Sequence, residues 1–155
     1  MIRVLFVCLG NICRSPMAEA IFRSRIEEEG LEGKIEVDSA GVGHWHIGSP
    51  PHQGTRDILE KKRIAATGMT ARQIEAADWE EFHYIIAMDD KNISDLHTIR
   101  MKEGVVVQKL MDYVPAPVQQ EVPDPYFTGD FEETYELVRE GCEHLLESIK
   151  RNQAM

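Results

Sequence analysis

Four short runs of strand-forming residues are separated by stretches of helical periodicity, and this alternation restricts the possible fold more than any other feature. The predicted strands are residues 2–7, 34–39, 84–88 and 105–110. Predicted helices run from 16 to about 29, over 51–62, over 91–100 and over 131–151. Residues 64–79 read as a turn and a short helix, and 115–128 as a proline-rich loop. Strands joined through helices pair in parallel. The expected fold is therefore α/β: a doubly wound parallel sheet of four strands with helices on both faces. Such sheets bind ligands beyond the carboxyl ends of their strands, where the strand order reverses. In the first helix Ala18, Ile21, Phe22 and Ile26 share a face, and Gly30 ends it. In the last helix Tyr135, Val138, Cys142, Leu145, Leu146 and Ile149 form the apolar stripe, which makes Cys142 a core residue. The 155 residues fit a single domain, 1–155. A chain of that size buries roughly 70% of its unfolded surface and needs no disulfide or metal to fold.

Charge and cysteine usage remove several classes of function. A net charge of -10, from 27 acidic and 17 basic residues, argues against nucleic acid as a partner. No apolar run approaches the ~20 residues of a membrane-spanning helix. Three cysteines, Cys8, Cys13 and Cys142, with no leader-like segment before the first strand, point to a reducing cytoplasm. His44 and His46 flank Trp45, but two histidines without further ligands make no metal site, and no cofactor is expected.

The chemistry gathers after the first strand. Cys8 stands at its end, Leu9, Gly10, Asn11, Ile12 and Cys13 follow, and then Arg14, Ser15 and Pro16. Ser15-Pro16 reads as a helix start, with Ser15 as the cap and Pro16 at the first helical position. A loop between a strand end and a helix N-terminus can turn its N–H groups inward as an anion nest, with the helix dipole behind them. Arg14 adds a planar fork suited to two phosphate oxygens. A cysteine in such a field is favoured as thiolate, a nucleophile aimed at a bound phosphorus. Ser15 can also donate a hydrogen bond to that sulfur when it leaves. Asp124, before Pro125, is a candidate general acid, although Asp-Pro is also ordinary turn chemistry.

The loop from Cys8 to Pro16, with Asp124-Pro125-Tyr126 near the C-terminus, closely resembles the low-molecular-weight protein tyrosine phosphatases, over residues 4 to about 149. The resemblance implies strand order 2-1-3-4 and a monomeric, metal-independent enzyme. It would hydrolyse phosphotyrosine in proteins, or small aryl phosphates, through a phosphocysteine on Cys8, with Asp124 as general acid. It makes Trp45, Tyr126 and Phe127 aromatic walls around the substrate ring. Relatives often have a second Tyr where Phe127 stands, so any role of that hydroxyl is absent. Asn11 is expected to hold a left-handed loop conformation, fixed by hydrogen bonds from Ser39 and His52. Cys8 and Cys13 resemble the family's reversible oxidation pair.

Other readings make distinct demands. Arsenate reductases of related fold need further redox cysteines after the third strand, and residues 84–128 contain none. Phosphoarginine phosphatases of the same family carry Thr where Ile12 stands. A non-hydrolytic phosphate-binding or phosphocysteine-carrier module would need neither Arg14 nor Asp124.

Overall fold

The computed structural model describes residues 1–155. Its centre is a four-stranded parallel sheet in the order β2-β1-β3-β4, formed by Ile2–Cys8 (β1), Ile35–Gly41 (β2), Tyr84–Ala87 (β3) and Val106–Lys109 (β4). The helices are Arg14–Glu28 (α1), Gln53–Lys61 (α2), Asp78–Glu81 (α3), Asp90–Ile99 (α4), Pro125–Thr128 (α5) and Phe131–Asn152 (α6), with a 3-10 turn at Leu110–Tyr113. No helix is long and apolar enough to cross a membrane.

β1 is central, and its composition shows why. Val4, Leu5, Phe6 and Val7 are fully buried. Val4 and Phe6 face one core with Met17 and Phe22 of α1 and Leu145 and Ile149 of α6. Leu5 and Val7 face the other, with Trp79, Phe82 and Leu96. A strand covered on both faces has no polar side, so it reads as a continuous apolar run. Cys8 is the last residue of β1 and pairs with Gly41. The chain leaves β1 for β2 on one side and returns to β3 on the other, so Cys8 sits at the switch point of the sheet.

The expected strands and long helices all form, with ends moved by one or two residues. The expected apolar stripes of α1 and α6 are buried, Cys142 among them, and Gly30 follows α1 with φ +68. Two readings need correction. The helix after the loop begins at Arg14, not at Pro16, and its N-cap is Cys13 with no capping side chain. Ser15 lies inside the first turn, its hydroxyl engaged by Asn11 and Cys8. The first N–H groups of α1 thus have no side-chain cap. The region expected to be a loop throughout 115–128 ends in α5, which Asp124 caps by accepting from Tyr126 N–H at 3.1 Å.

Candidate active site

The loop between β1 and α1 has an unusual hydrogen-bond pattern. Its carbonyls are used: Cys8 accepts from Val42, Leu9 from Gly43, Ile12 from His52, and Cys13 from both Met17 N–H and the Thr55 hydroxyl. None of the backbone N–H groups of residues 9–15 donates to any acceptor in the protein. Yet Asn11, Ile12, Cys13, Arg14 and Ser15 are buried. Buried N–H groups without partners are rare, because each costs much of a hydrogen bond. A row of such groups leading into a helix N-terminus can hold an anion.

Arg14 follows the same logic. Its side chain is 2% exposed, and Nη1 donates to Asp89 Oδ2 at 2.6 Å and to the Val122 carbonyl at 2.9 Å. Nε is buried with no partner, and Nη2 reaches Asp124 Oδ2 only at 3.4 Å. The edge of the guanidinium carrying Nε and Nη2 is thus the open one, and that edge binds two oxygens side by side. Burial works against the cation, but Cys8, Asp89 and Asp124 outweigh it and keep its pKa above the ordinary value.

Asn11 fixes the loop's shape. It has φ 57, in the left-handed region that Asn tolerates. Its Oδ1 accepts from Arg72 N–H at 3.0 Å, and Nδ2 donates to Ser15 Oγ at 2.8 Å and to Ser39 Oγ at 3.0 Å. Ser39 Oγ in turn donates to Glu19 Oε1 at 2.6 Å. Because Ser15 Oγ accepts from Asn11, its hydroxyl hydrogen is free for Cys8 Sγ, 3.0 Å away. Gly41 must lack a side chain: a Cβ there would lie 3.0 Å from the Leu9 carbonyl and 3.1 Å from Asn11 N.

Cys8 lies 3% exposed in a cleft of about 210 Å³ lined by the loop residues Leu9, Gly10, Ile12 and Cys13, by Trp45, His46, Tyr126 and Phe127, and by Asp124. Trp45, Tyr126 and Phe127 are 65%, 53% and 75% exposed, aromatic surface left open at the mouth. A wider depression of about 550 Å³ beside β2 is lined by charged residues such as Arg3, Glu36 and Asp38 and holds no nucleophile. Burial, reinforced by Cys8 and Asp124, pushes the Cys13 thiol up to about 12.

The structure brings together every expected site residue except in one detail. His52 does not hold Asn11. Its Nδ1 caps α2 by accepting from Gly54 N–H, its ring stacks on Phe131 at 5.1 Å, and its own N–H supports the Ile12 carbonyl. The Asn11 oxygen is already taken by Arg72. Sequence reasoning missed Arg72, Glu19, Asp89 and His46. Glu19 had a signal, one helical turn after Ser15 on the buried face, and Asp89 stands where an N-cap of α4 belongs. The long-range contacts of both had none.

The sequence model of the low molecular weight phosphotyrosine protein phosphatases matches residues 3–155. The chain belongs to this family. It is 54% identical to the low molecular weight protein-tyrosine-phosphatase YfkJ of Bacillus subtilis, over 100% of both chains. The crystal structure of YfkJ superimposes with a TM-score of 0.96 over 98% of this chain and 96% of the other, at 55% identity. A Drosophila structure described as an arginine phosphatase is similar at TM-score 0.88 and 33% identity, covering 95% and 97% of the two chains. The family is one of cysteine-dependent, metal-independent hydrolases, and the strand order seen here is the one that membership implied.

Proposed function

We propose that residues 1–155 act as one cytoplasmic, monomeric catalytic domain that hydrolyses phosphotyrosine monoesters through a phosphocysteine. The observation that carries the reading is the row of unbonded N–H groups at residues 9–15 beside the open edge of Arg14, with Cys8 in their midst. In the first step the Cys8 thiolate attacks phosphorus, and the bond to the phenolic oxygen breaks. Asp124, across the cleft, gives its proton to that oxygen, and tyrosine leaves. In the second step water attacks the phosphocysteine and loses a proton to Asp124. The P–S bond breaks, the sulfur leaves as thiolate under the Ser15 hydroxyl, and phosphate is released. Loop N–H groups and Arg14 hold the phosphoryl oxygens throughout. The substrate's ring lies between Trp45, Tyr126 and Phe127.

The test is a phosphopeptide panel carrying phospho-Tyr, -Ser, -Thr or -Arg, with p-nitrophenyl phosphate as control, all with chelator present. Phosphotyrosine is expected to turn over fastest, with no metal added. No turnover of any aryl phosphate would refute the reading.

Ile12 favours phosphotyrosine over phosphoarginine, the substrate class raised by the Drosophila relative. It is 8% exposed and lines the cleft. A guanidinium facing it loses water without a replacement hydrogen bond, at about 1–3 kcal/mol. That is about one to two powers of ten in selectivity. Ile12→Thr is expected to shift the kcat/KM ratio toward phosphoarginine by up to that factor. An unmoved ratio places the selector elsewhere.

Cys13 adds a redox response. Peroxide converts the Cys8 thiolate to a sulfenic acid, and the Cys13 thiol then displaces water to close a disulfide. Because Cys13 keeps its proton at neutral pH, closure is expected to quicken as pH rises. Mild peroxide should inactivate, a dithiol should restore activity, and mass spectrometry should show the Cys8–Cys13 link. Equal recovery in Cys13→Ser would remove any protective role.

A further inference from the structure

We infer that His46 is a specificity-determining residue, selecting phosphotyrosine peptides that carry an acidic side chain next to the phosphotyrosine. The inference rests on the phosphotyrosine reading of the cleft.

His46 is half-buried and lines the same cleft as Cys8 and Asp124. Its ring lies over the loop: a Cβ on Gly10 would stand 3.0 Å from His46 Cδ2 and 3.8 Å from Nε2. Tyr126 approaches from the opposite wall, with ring centroids 6.2 Å apart. Only the backbone of His46 is bonded, its carbonyl accepting from Ser49 N–H. The ring nitrogens have no partner in the protein, so a group that fills the cleft can bond to them. The two neighbouring histidines are placed otherwise. His44 is exposed and stacks on Trp45, and His52 caps α2.

A tyrosine ring offers an imidazole no strong acceptor. The phosphate is served by the loop N–H groups and Arg14. The remaining acceptors on a substrate are its flanking residues, which cross the mouth where His46 sits. A carboxylate suits it best. Residues 41–56 contain no Asp or Glu, although the chain has 27 acidic residues, and they hold three of its six histidines and Arg56. The titratable groups facing His46 from the other elements are Cys8, Cys13, Asp124 and Tyr126. Asp124 is the only carboxylate among them, and its oxygens are already turned to Tyr126 N–H and Arg14. The net charge of -10 does not oppose a local pairing, because charges beyond about 8–10 Å are screened at physiological salt. An imidazolium pairing with a carboxylate at a half-exposed site is expected to give about a three- to tenfold preference.

The test compares kcat/KM for two phosphotyrosine peptides at a single pH of about 6. They differ only in Glu or Gln beside the phosphotyrosine, tried on each side. The ratio is measured for the parent, His46→Gln and His46→Arg. Any general effect of a variant divides out of the ratio. The parent is expected to favour Glu at one of the two positions, His46→Gln to bring that ratio to about one, and His46→Arg to restore or raise it. A parent ratio near one at both positions overturns the inference, as does a ratio that survives in His46→Gln. Loss in both variants overturns it too, since charge would then not be the property read. Turnover of p-nitrophenyl phosphate by the parent reports separately on the underlying phosphatase reading.

Discussion

Cys8→Ser is expected to lower turnover of every phosphate monoester by at least about 10⁴-fold, the range in which removal of a covalent nucleophile falls elsewhere. Binding of inorganic phosphate should survive. The hydroxyl is a much weaker nucleophile at neutral pH, but it leaves the loop N–H groups of residues 9–15 and the open edge of Arg14 in place. Serine is also close in size and can keep a hydrogen bond to Ser15, so the loop has no cause to collapse. Calorimetry with inorganic phosphate and a p-nitrophenyl phosphate assay decide the matter together. A variant that still turns over at a tenth of the parent rate would show that the sulfur is not the nucleophile. A variant that neither binds nor turns over would point to a damaged loop, which its circular dichroism and melting curve would reveal.

Asp124→Ala should cost about 10²–10⁴-fold with phosphotyrosine, the usual worth of a general acid. The loss should shrink with p-nitrophenyl phosphate, whose leaving group departs without a proton. Alanine also removes the cap of α5, where Asp124 Oδ1 accepts from Tyr126 N–H at 3.1 Å. Asp124→Asn separates these effects, because Asn caps a helix about as well as Asp but has no proton to give. The two variants should therefore lose similar amounts with phosphotyrosine. If Asn restored the rate, Asp124 would act by shaping the cleft wall, and proton donation would have to come from another group.

The two inner strands were legible in the sequence because both are buried on both faces, which forces the continuous apolar runs Val4–Val7 and Tyr84–Ala87. The first strand, the anion loop and the helix after it lie within the first turn of the chain through the sheet, so local pattern was enough to place Cys8 and Arg14. The helix start was misread for a physical reason. A serine before a proline normally serves the backbone, but here Asn11 and Cys8 claim its hydroxyl, and the first N–H groups of the helix are left uncapped. His52 does not reach Asn11 because its Nδ1 caps α2 and its ring stacks on Phe131, while the Asn11 oxygen accepts from Arg72 N–H. Arg72 and Asp89 lie 61 and 75 residues from their loop partners Asn11 and Arg14, and no sequence periodicity reports a contact of that range. In the sequence, His46 beside Trp45 and His44 suggests nothing beyond a metal ligand. Its place over Gly10 depends on how residues 41–52 fold back across the loop.

Asp89 divides its carboxylate between two structures. Oδ1 accepts from Asn92 N–H at 2.8 Å and closes the first turn of α4, while Oδ2 holds Arg14 at 2.6 Å. Opening of the first turn of α4 and loss of Arg14's shortest hydrogen bond therefore draw on the same carboxylate, and one local opening can involve both. An anion seated on the open edge of Arg14 lowers the population of that opening by mass action. The amides of the first turn of α4, which lies outside the anion loop, are therefore expected to exchange their hydrogens more slowly when the cleft is occupied.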